Sequence, residues 1–212
     1  MSGRLRAVTF DLDGTLYDAA AARGAILRAA FPRWRTLRVG RAVREELRGR
    51  AFASGEALRA EEARLVGERL DVEPALARLR LDRVFDADLV RALARVGPRP
   101  VACQALADLA GAGLRLAVVS DRRIDDKLKA LGLHELPWGA RVSADEVGLL
   151  KPAAGLFERA CAALGVAPAE AAHVGDRADT DGQGARNAGM RALLLGRDGD
   201  LAQICRALLP AA

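Results

Sequence analysis

Asp11 and Asp13 stand two residues apart, directly after the apolar run 5–10 and just before Gly14-Thr15-Leu16. If that run is a strand, the spacing sends both carboxylates the same way. A pair so placed can hold a divalent cation, and one member can attack an electrophile. Alone it more often reads as a turn with a solvated acid. Its specificity comes from groups further along the chain. Ser120-Asp121 follows the apolar run 114–119, Gly175-Asp176 follows 171–174, Asp181 comes five residues later, and Lys151 precedes Pro152 in a loop. Taken singly, these would be a helix cap, a tight turn and a loop lysine.

In an open parallel sheet, ligands sit beyond the carboxyl ends of the strands, where all these groups would fall. One cation and one phosphoryl group would satisfy the whole set. A phosphate monoester dianion repels a carboxylate nucleophile, so a metal and a lysine must offset charge before in-line attack. Asp11 is the expected nucleophile, forming an aspartyl phosphate. Asp13 is the expected acid that protonates the leaving oxygen, and then the base that activates water. Asp11 and Asp176, with the main-chain carbonyl of Asp13, are the expected ligands of Mg²⁺, a hard ion that prefers oxygen. Asp181 supports that metal site. Ser120 and backbone N–H groups near it, that of Asp121 included, would hold phosphoryl oxygens at the start of a helix. Lys151 would bridge Asp11 and the phosphoryl group as a compact point charge.

Elements that could position these groups are readable as two textures. Residues 1–16 and 101–212 alternate short apolar runs, including 192–195 and a weaker one at 140–142, with helical stretches near 101–110, 123–131, 154–164 and 182–188. Gly111, Gly132, Gly165 and Gly189 stand where glycines stop helices. This alternation predicts an α/β core with a doubly wound, mostly parallel sheet. Residues 17–100 contain hardly a β-rich run. Their spacing predicts helices over 25–30, 39–47, 57–70, 74–79 and 87–96, with starts at Ser54 and Asp86 and a breaker at 97–100. An all-helical insertion directly after the first strand reads as a cap. The expected organisation is a core of 1–16 plus 101–212 and a helical cap domain of 17–100.

At 212 residues the chain is one moderate domain, or one with a sizeable insertion. No run of 18 apolar residues suggests a membrane span, and Arg4 and Arg6 leading into a short strand do not resemble a signal peptide. A cytoplasmic monomer or homodimer, with no membrane or nucleic-acid partner, is expected. Cys103, Cys161 and Cys205 lack any CxxC spacing and are expected to be buried, reduced thiols. Net charge is +5, and only Lys127, Lys129 and Lys151 of the 33 basic residues are lysine. Segment 17–100 carries 18 arginines against 12 acids, so the positive excess lies there. That excess fits an anionic substrate or solvated arginine faces equally well. Aromatic residues do not punctuate the arginines, which argues against single-stranded nucleic acid.

The four groups in order, Asp11-x-Asp13-Gly14-Thr15-Leu16, Val119-Ser120, Lys151-Pro152 and Gly175-Asp176 through Asp181, resemble the four motifs of the haloacid dehalogenase-like hydrolase superfamily. His173 to Asp176, running on to Gly184-Ala185-Arg186-Asn187-Ala188-Gly189-Met190, is similar to its phosphatase branch with a helical cap after the first motif; Ser143, Glu146 and Gly148 fit that branch too. The resemblance implies a Rossmann-like sheet, Mg²⁺ dependence and an aspartyl-phosphate intermediate. It has departures. Asp121 stands where the branch usually has Asn, Ala153-Ala154 where Asp-Pro is common, and Arg177 where Ser or Asn is frequent. Dehalogenase relatives lack the second acid, because a halide leaving group needs no proton, so Asp13 favours phosphoryl transfer. The implied function is a phosphatase acting on a small phosphorylated metabolite. The alternatives are a phosphomutase on a sugar phosphate and, further off, a non-catalytic adaptor binding an anionic partner. Asp18, Arg23 and the Arg33-Trp34-Arg35 cluster are the candidates for substrate contact, with Arg33 and Arg35 as a clamp on a second anionic group. His134 and Trp138 are placed in a loop after a core helix, Trp138 as packing.

Overall fold

Parallel strands need crossovers, and each crossover here is built around helix. The computed structural model describes residues 4–210; the outermost residues of the expected core, 1–3 and 211–212, lie outside the described residues. In chain order the strands are β1 (Ala7–Phe10), β2 (Arg115–Ser120), β3 (Trp138–Ser143), β4 (Ala171–Gly175) and β5 (Arg191–Leu194). They form one parallel sheet in the order β3-β2-β1-β4-β5. Side chains alternate between its faces with the period of two that a pleated strand imposes. Val8, Phe10, Leu116, Val118, Ala172 and Val174 join one apolar cluster, and Ala7, Ala117, Val119 and Ala171 join the other. The sheet is therefore covered on both sides, as the doubly wound, Rossmann-like α/β reading requires.

Register positions the chemistry. Phe10 lies opposite both Val118 and Val174, so β1, β2 and β4 end within two residues of one level. Asp11, Ser120 and Asp176 all emerge at that edge.

Between β1 and β2 the described chain forms helices: α1 (Ala19–Ala30), α2 (Trp34–Glu46), α3 (Gly55–Leu70), α4 (Pro74–Asp82), α5 (Leu89–Val96) and α6 (Ala102–Gly111). The later helices are α7 (Asp125–Ala130), α8 (Ala144–Val147), α9 (Ala154–Leu164), α10 (Gln183–Asn187) and α11 (Leu201–Leu208). The Asp18 carboxylate accepts the N–H groups of Ala20 and Ala21 at the start of α1, and the Ser54 hydroxyl accepts that of Ala57 at the start of α3. Ser54 is the start expected of it; Asp86 is not. A π-type turn, Arg83–Asp88, carries α4 into α5 without a break, and the Asp86 carboxylate accepts from Arg123 instead of a backbone N–H. Helices α1 and α2 begin well before the expected 25 and 39, because alanine and arginine are good helix formers even where apolar periodicity is absent. Gly111 lies inside α6 and the left-handed stop is Gly113, at φ 82°.

Two further expectations are corrected. Trp138 opens β3 rather than lying in a loop, its ring edge-on to Phe10 at 6.3 Å and its indole N–H donating to the Leu133 carbonyl. Cys103 is exposed; only Cys161 and Cys205 are buried, and burial pushes their thiols up to about 11 and about 12. No helix among the described residues is long and apolar enough to cross a membrane.

A Cβ added to Gly184 on α10 would lie 2.2 Å from the Phe157 ring, and that ring is fully buried on α9. Gly184→Ala is expected to destabilise the fold by about 1–3 kcal/mol through overpacking. Denaturant unfolding checks this; an unchanged midpoint would show that α10 can shift freely.

Candidate active site

The carboxyl edge brings all the predicted acids and the lysine together. The backbone N–H of Asp11 donates to the Val174 carbonyl, so Asp11 prolongs the β1 ladder by one residue and is buried. Its Oδ1 accepts from the Lys151 ammonium at 2.5 Å, while its Oδ2 is buried with no partner. Lys151 also donates to Asp181 Oδ1 at 2.7 Å, and Asp181 Oδ2 accepts the Arg177 N–H at 3.1 Å. Behind Asp181 lies His173, with Nε2 at 3.4 Å from it and Nδ1 at 2.8 Å from the Thr9 hydroxyl.

Two glycines make this convergence possible. Gly14 takes φ 101°, and a Cβ there would lie 2.3 Å from an Asp176 oxygen. A Cβ on Gly175 would lie 2.4 Å from the Asp181 side chain. The loop after β1 and the turn after β4 thus press directly on the two acids.

Carboxylate oxygens of Asp11, Asp176 and Asp181 lie within 4.8 Å of one another. All three donors are hard oxygens, and the orphaned Oδ2 of Asp11 is a buried acceptor awaiting a positive partner; the residues fit a small divalent cation. Burial pushes the Asp11 carboxyl well above the usual range, with Lys151 opposing and the charges of Asp181 and Asp13 adding to the rise. Asp176 is raised too, by burial and by Asp181. Asp181 is the reverse: burial would raise it, but Lys151 and His173 hold it far below. Burial also opposes the charge on Lys151, yet Asp11 and Asp181 outweigh it and the ammonium is retained. Burial lowers His173, leaving a neutral imidazole as the wall behind Asp181.

Asp13 lines one cavity with that cluster but hydrogen-bonds to other partners. Its Oδ1 accepts from the Tyr17 hydroxyl at 2.9 Å and its Oδ2 from Lys127 at 2.5 Å. Burial alone would raise its carboxyl, but Lys127 and Tyr17 bring it below the ordinary value. Ser120, fully buried, accepts the Arg122 N–H at 3.1 Å, which leaves its own proton free to donate. The Asp121 carboxylate accepts the Lys151 N–H at 3.0 Å and Arg48 at 2.7 Å, so its charge is answered by α2. Asp11, Asp13, Asp121, Lys151, Asp176 and Asp181 line a cavity of about 390 Å³, together with Tyr17, Arg41, Arg44, Arg122 and Phe85, while Ser120 lies outside that lining. A second cavity, of about 650 Å³, shares Asp176 with the first and is also lined by Asp18, Arg99 and Leu201.

The helices between β1 and β2 are seated on this edge by charge. Arg44 of α2 reaches Glu62 of α3 at 2.6 Å, Asp145 of α8 at 2.5 Å and the Asp121 carbonyl. Arg122 donates to Glu62 at 2.5 Å and lies over Phe85, its guanidinium carbon 3.9 Å from the ring centre. Arg177 reaches Glu45 at 2.6 Å.

The family described as haloacid dehalogenase-like hydrolase matches residues 5–189. The chain belongs to that family. The hydrolase is 32% identical over 201 residues to a glyceraldehyde 3-phosphate phosphatase of Methanothermobacter thermautotrophicus, covering 90% of this chain and 85% of that protein. It is 31% identical to a phosphoglycolate phosphatase of Caulobacter vibrioides, covering 89% and 78%. Among solved structures, the HAD-hydrolase YfnB of Bacillus subtilis bound to magnesium superposes with a TM-score of 0.70 at 17% identity, over 97% and 99% of the two chains. That last likeness is one of fold.

The expected specificity residues do not line the 390 Å³ cavity. Arg33 pairs with the buried Asp88 at 2.8 Å, Asp18 caps α1, and Arg23, Trp34 and Arg35 are exposed. His134 interacts with Glu135 and Arg141. The residues that sequence reading missed are Tyr17, Arg44, Arg48, Arg122 and Lys127. Lys127 alone carried a signal, as one of three lysines in an arginine-rich chain.

The buried Arg44–Asp145 pair predicts a pH dependence. Burial opposes ionisation of Asp145, but Arg44 outweighs it and lowers the folded-state value. Stability from the pair is therefore full above about pH 4, the unfolded value, and is lost as pH falls through the lower folded value. Asp145→Asn is expected to cost about 3 kcal/mol at pH 7, with the gap to the parent narrowing below pH 4. Urea unfolding at pH 7 and pH 3 checks this; a gap that stays constant would exclude the pair as its source.

Proposed function

We propose that the hydrolase is a Mg²⁺-dependent phosphatase that cleaves a small phosphomonoester through an aspartyl phosphate on Asp11. The observation that carries this reading is the orphaned Oδ2 of Asp11, buried beside Asp176 and opposite a second acid, Asp13. The phosphatases at 32% and 31% identity over nine-tenths of the chain support it.

Asp11 and Asp176, with the main-chain carbonyl of Asp13, would hold the metal, which when bound supplies positive charge against the phosphoryl oxygens. Asp181, already engaged by Lys151 and Arg177, serves as support. Lys151 keeps the Asp11 carboxylate aligned and adds a point charge beside the phosphoryl group. The Ser120 hydroxyl donates to a phosphoryl oxygen. Asp121 contributes its backbone N–H, since its carboxylate is committed to Lys151 and Arg48. Asp11 forms a bond to phosphorus as the bond to the leaving oxygen breaks. That oxygen keeps the bonding pair and takes the proton that Asp13 carries once the charge of the bound dianion has offset the pull of Lys127 and Tyr17 on its carboxyl group. Water then attacks the same phosphorus, returns a proton to Asp13, and releases inorganic phosphate and free Asp11.

Residues 17–100 act in this reading as the cap that closes the cavity and excludes water. Its arginines reach the core at Asp121, Asp145 and the Lys151 carbonyl, contacts a mobile cap would break and remake.

A panel of small phosphomonoesters, assayed with and without Mg²⁺, tests the proposal. The parent protein is expected to release phosphate only with metal, and Asp11→Asn to lose at least about 10³-fold of that activity. Activity undiminished in Asp11→Asn would overturn the nucleophile assignment. A parent inert toward the whole panel would return the non-catalytic reading.

A further inference from the structure

Lys127 lies outside the four motifs, yet it is among the most deeply placed charges in the chain. Its side chain is 3% exposed, and its ammonium meets Asp13 Oδ2 at 2.5 Å. Lysine is rarely buried without a partner, and among the described residues Asp13 is the acceptor it reaches. The Tyr17 hydroxyl takes the other oxygen. Asp13 is thus gripped by two donors from different parts of the chain: Tyr17 just before α1, and Lys127 on the helix after the Ser120 loop. Each carboxylate oxygen keeps a second lone-pair direction, and the carboxylate and both donors line the 390 Å³ cavity.

Such a grip does more than neutralise a charge. An acid that must reach a leaving oxygen has to be held within a few tenths of an ångström, and a short aspartate on a turn has no packing of its own to fix its rotamer. We propose that Lys127 is a positioning residue for phosphoryl transfer, its ammonium fixing the Asp13 carboxylate toward the leaving-group oxygen. This rests on the phosphatase reading above. Helix α5 packs against α7, the helix that carries Lys127, so seating the 17–100 segment also seats the lysine.

The test compares two esters that differ in their need for an acid. p-Nitrophenyl phosphate releases a stabilised phenolate, whereas glycerol phosphate releases an alkoxide that must be protonated. Lys127→Met, which keeps the length and removes the charge, is expected to lower kcat on glycerol phosphate at least about tenfold more than on p-nitrophenyl phosphate, with KM for both little changed. Lys127→Arg is expected to recover part of that ratio. Equal losses on both esters, or a change confined to KM, would overturn the proposal and leave Lys127 as structural or substrate-binding. If Lys127→Met does not fold by circular dichroism, the same ratio is read on Lys127→Arg and Lys127→Gln, and a parental ratio in both overturns the proposal. A parent protein that turns over neither ester defeats the phosphatase reading itself; an active parent with an unmoved ratio defeats only the role of Lys127.

Discussion

One buried ammonium holds the carboxyl edge together. Asp11 and Asp181 are almost sealed from water, and two carboxylates so close would each carry a desolvation penalty of several kcal/mol. Lys151 touches both, and it can do so because the two strands that end beside them are in register. It also works through its backbone: its N–H meets Asp121 and its carbonyl meets Arg48. Remove the charge and Asp181 loses the largest influence that keeps it ionised, while Asp11 loses the partner that Oδ1 has among the described residues. Docking of α2 and the chemistry proposed for Asp11 therefore converge on one residue.

How much of this could be read from the sequence depends on distance along the chain. The strands and the ends carrying Asp11, Ser120 and Asp176 were legible, because each is written locally as an apolar run followed by a polar turn, and Lys151 was legible as a loop lysine beside Pro152. Ser54 was legible as a cap for the same reason. Asp86 misled, since a carboxylate that reaches across to Arg123 looks, in sequence, like one that caps the next helix. The clamp expected at Arg33 and Arg35 failed in the same way: Arg33 answers the buried Asp88, a partner 55 residues away. Tyr17 and Arg48 were invisible as site residues, and Lys127 stood out only by its type, because their meaning lies in pairings with no spacing rule to betray them. Tyr17 is the exception in distance, four residues from Asp13, but nothing local marks an aromatic hydroxyl as a donor to an acid.

Asp121 shows how a departure from a family pattern can be absorbed. An acid at that position looks repulsive to a dianion when seen in isolation. In the fold its two oxygens are taken by the Lys151 N–H and by Arg48, so the position becomes an anchor point for α2. The negative charge is matched before any substrate arrives.

The same matching changes the meaning of the chain's basic character. Segment 17–100 carries the excess of arginine, and two of those arginines end on acids of the other segment, Arg44 on Asp145 and Arg48 on Asp121, with Arg122 and Arg177 returning the exchange to Glu62 and Glu45. At these paired arginines, what a titration of the unfolded chain would register as affinity for polyanions is, in the folded molecule, taken up by the protein acting as its own counterion.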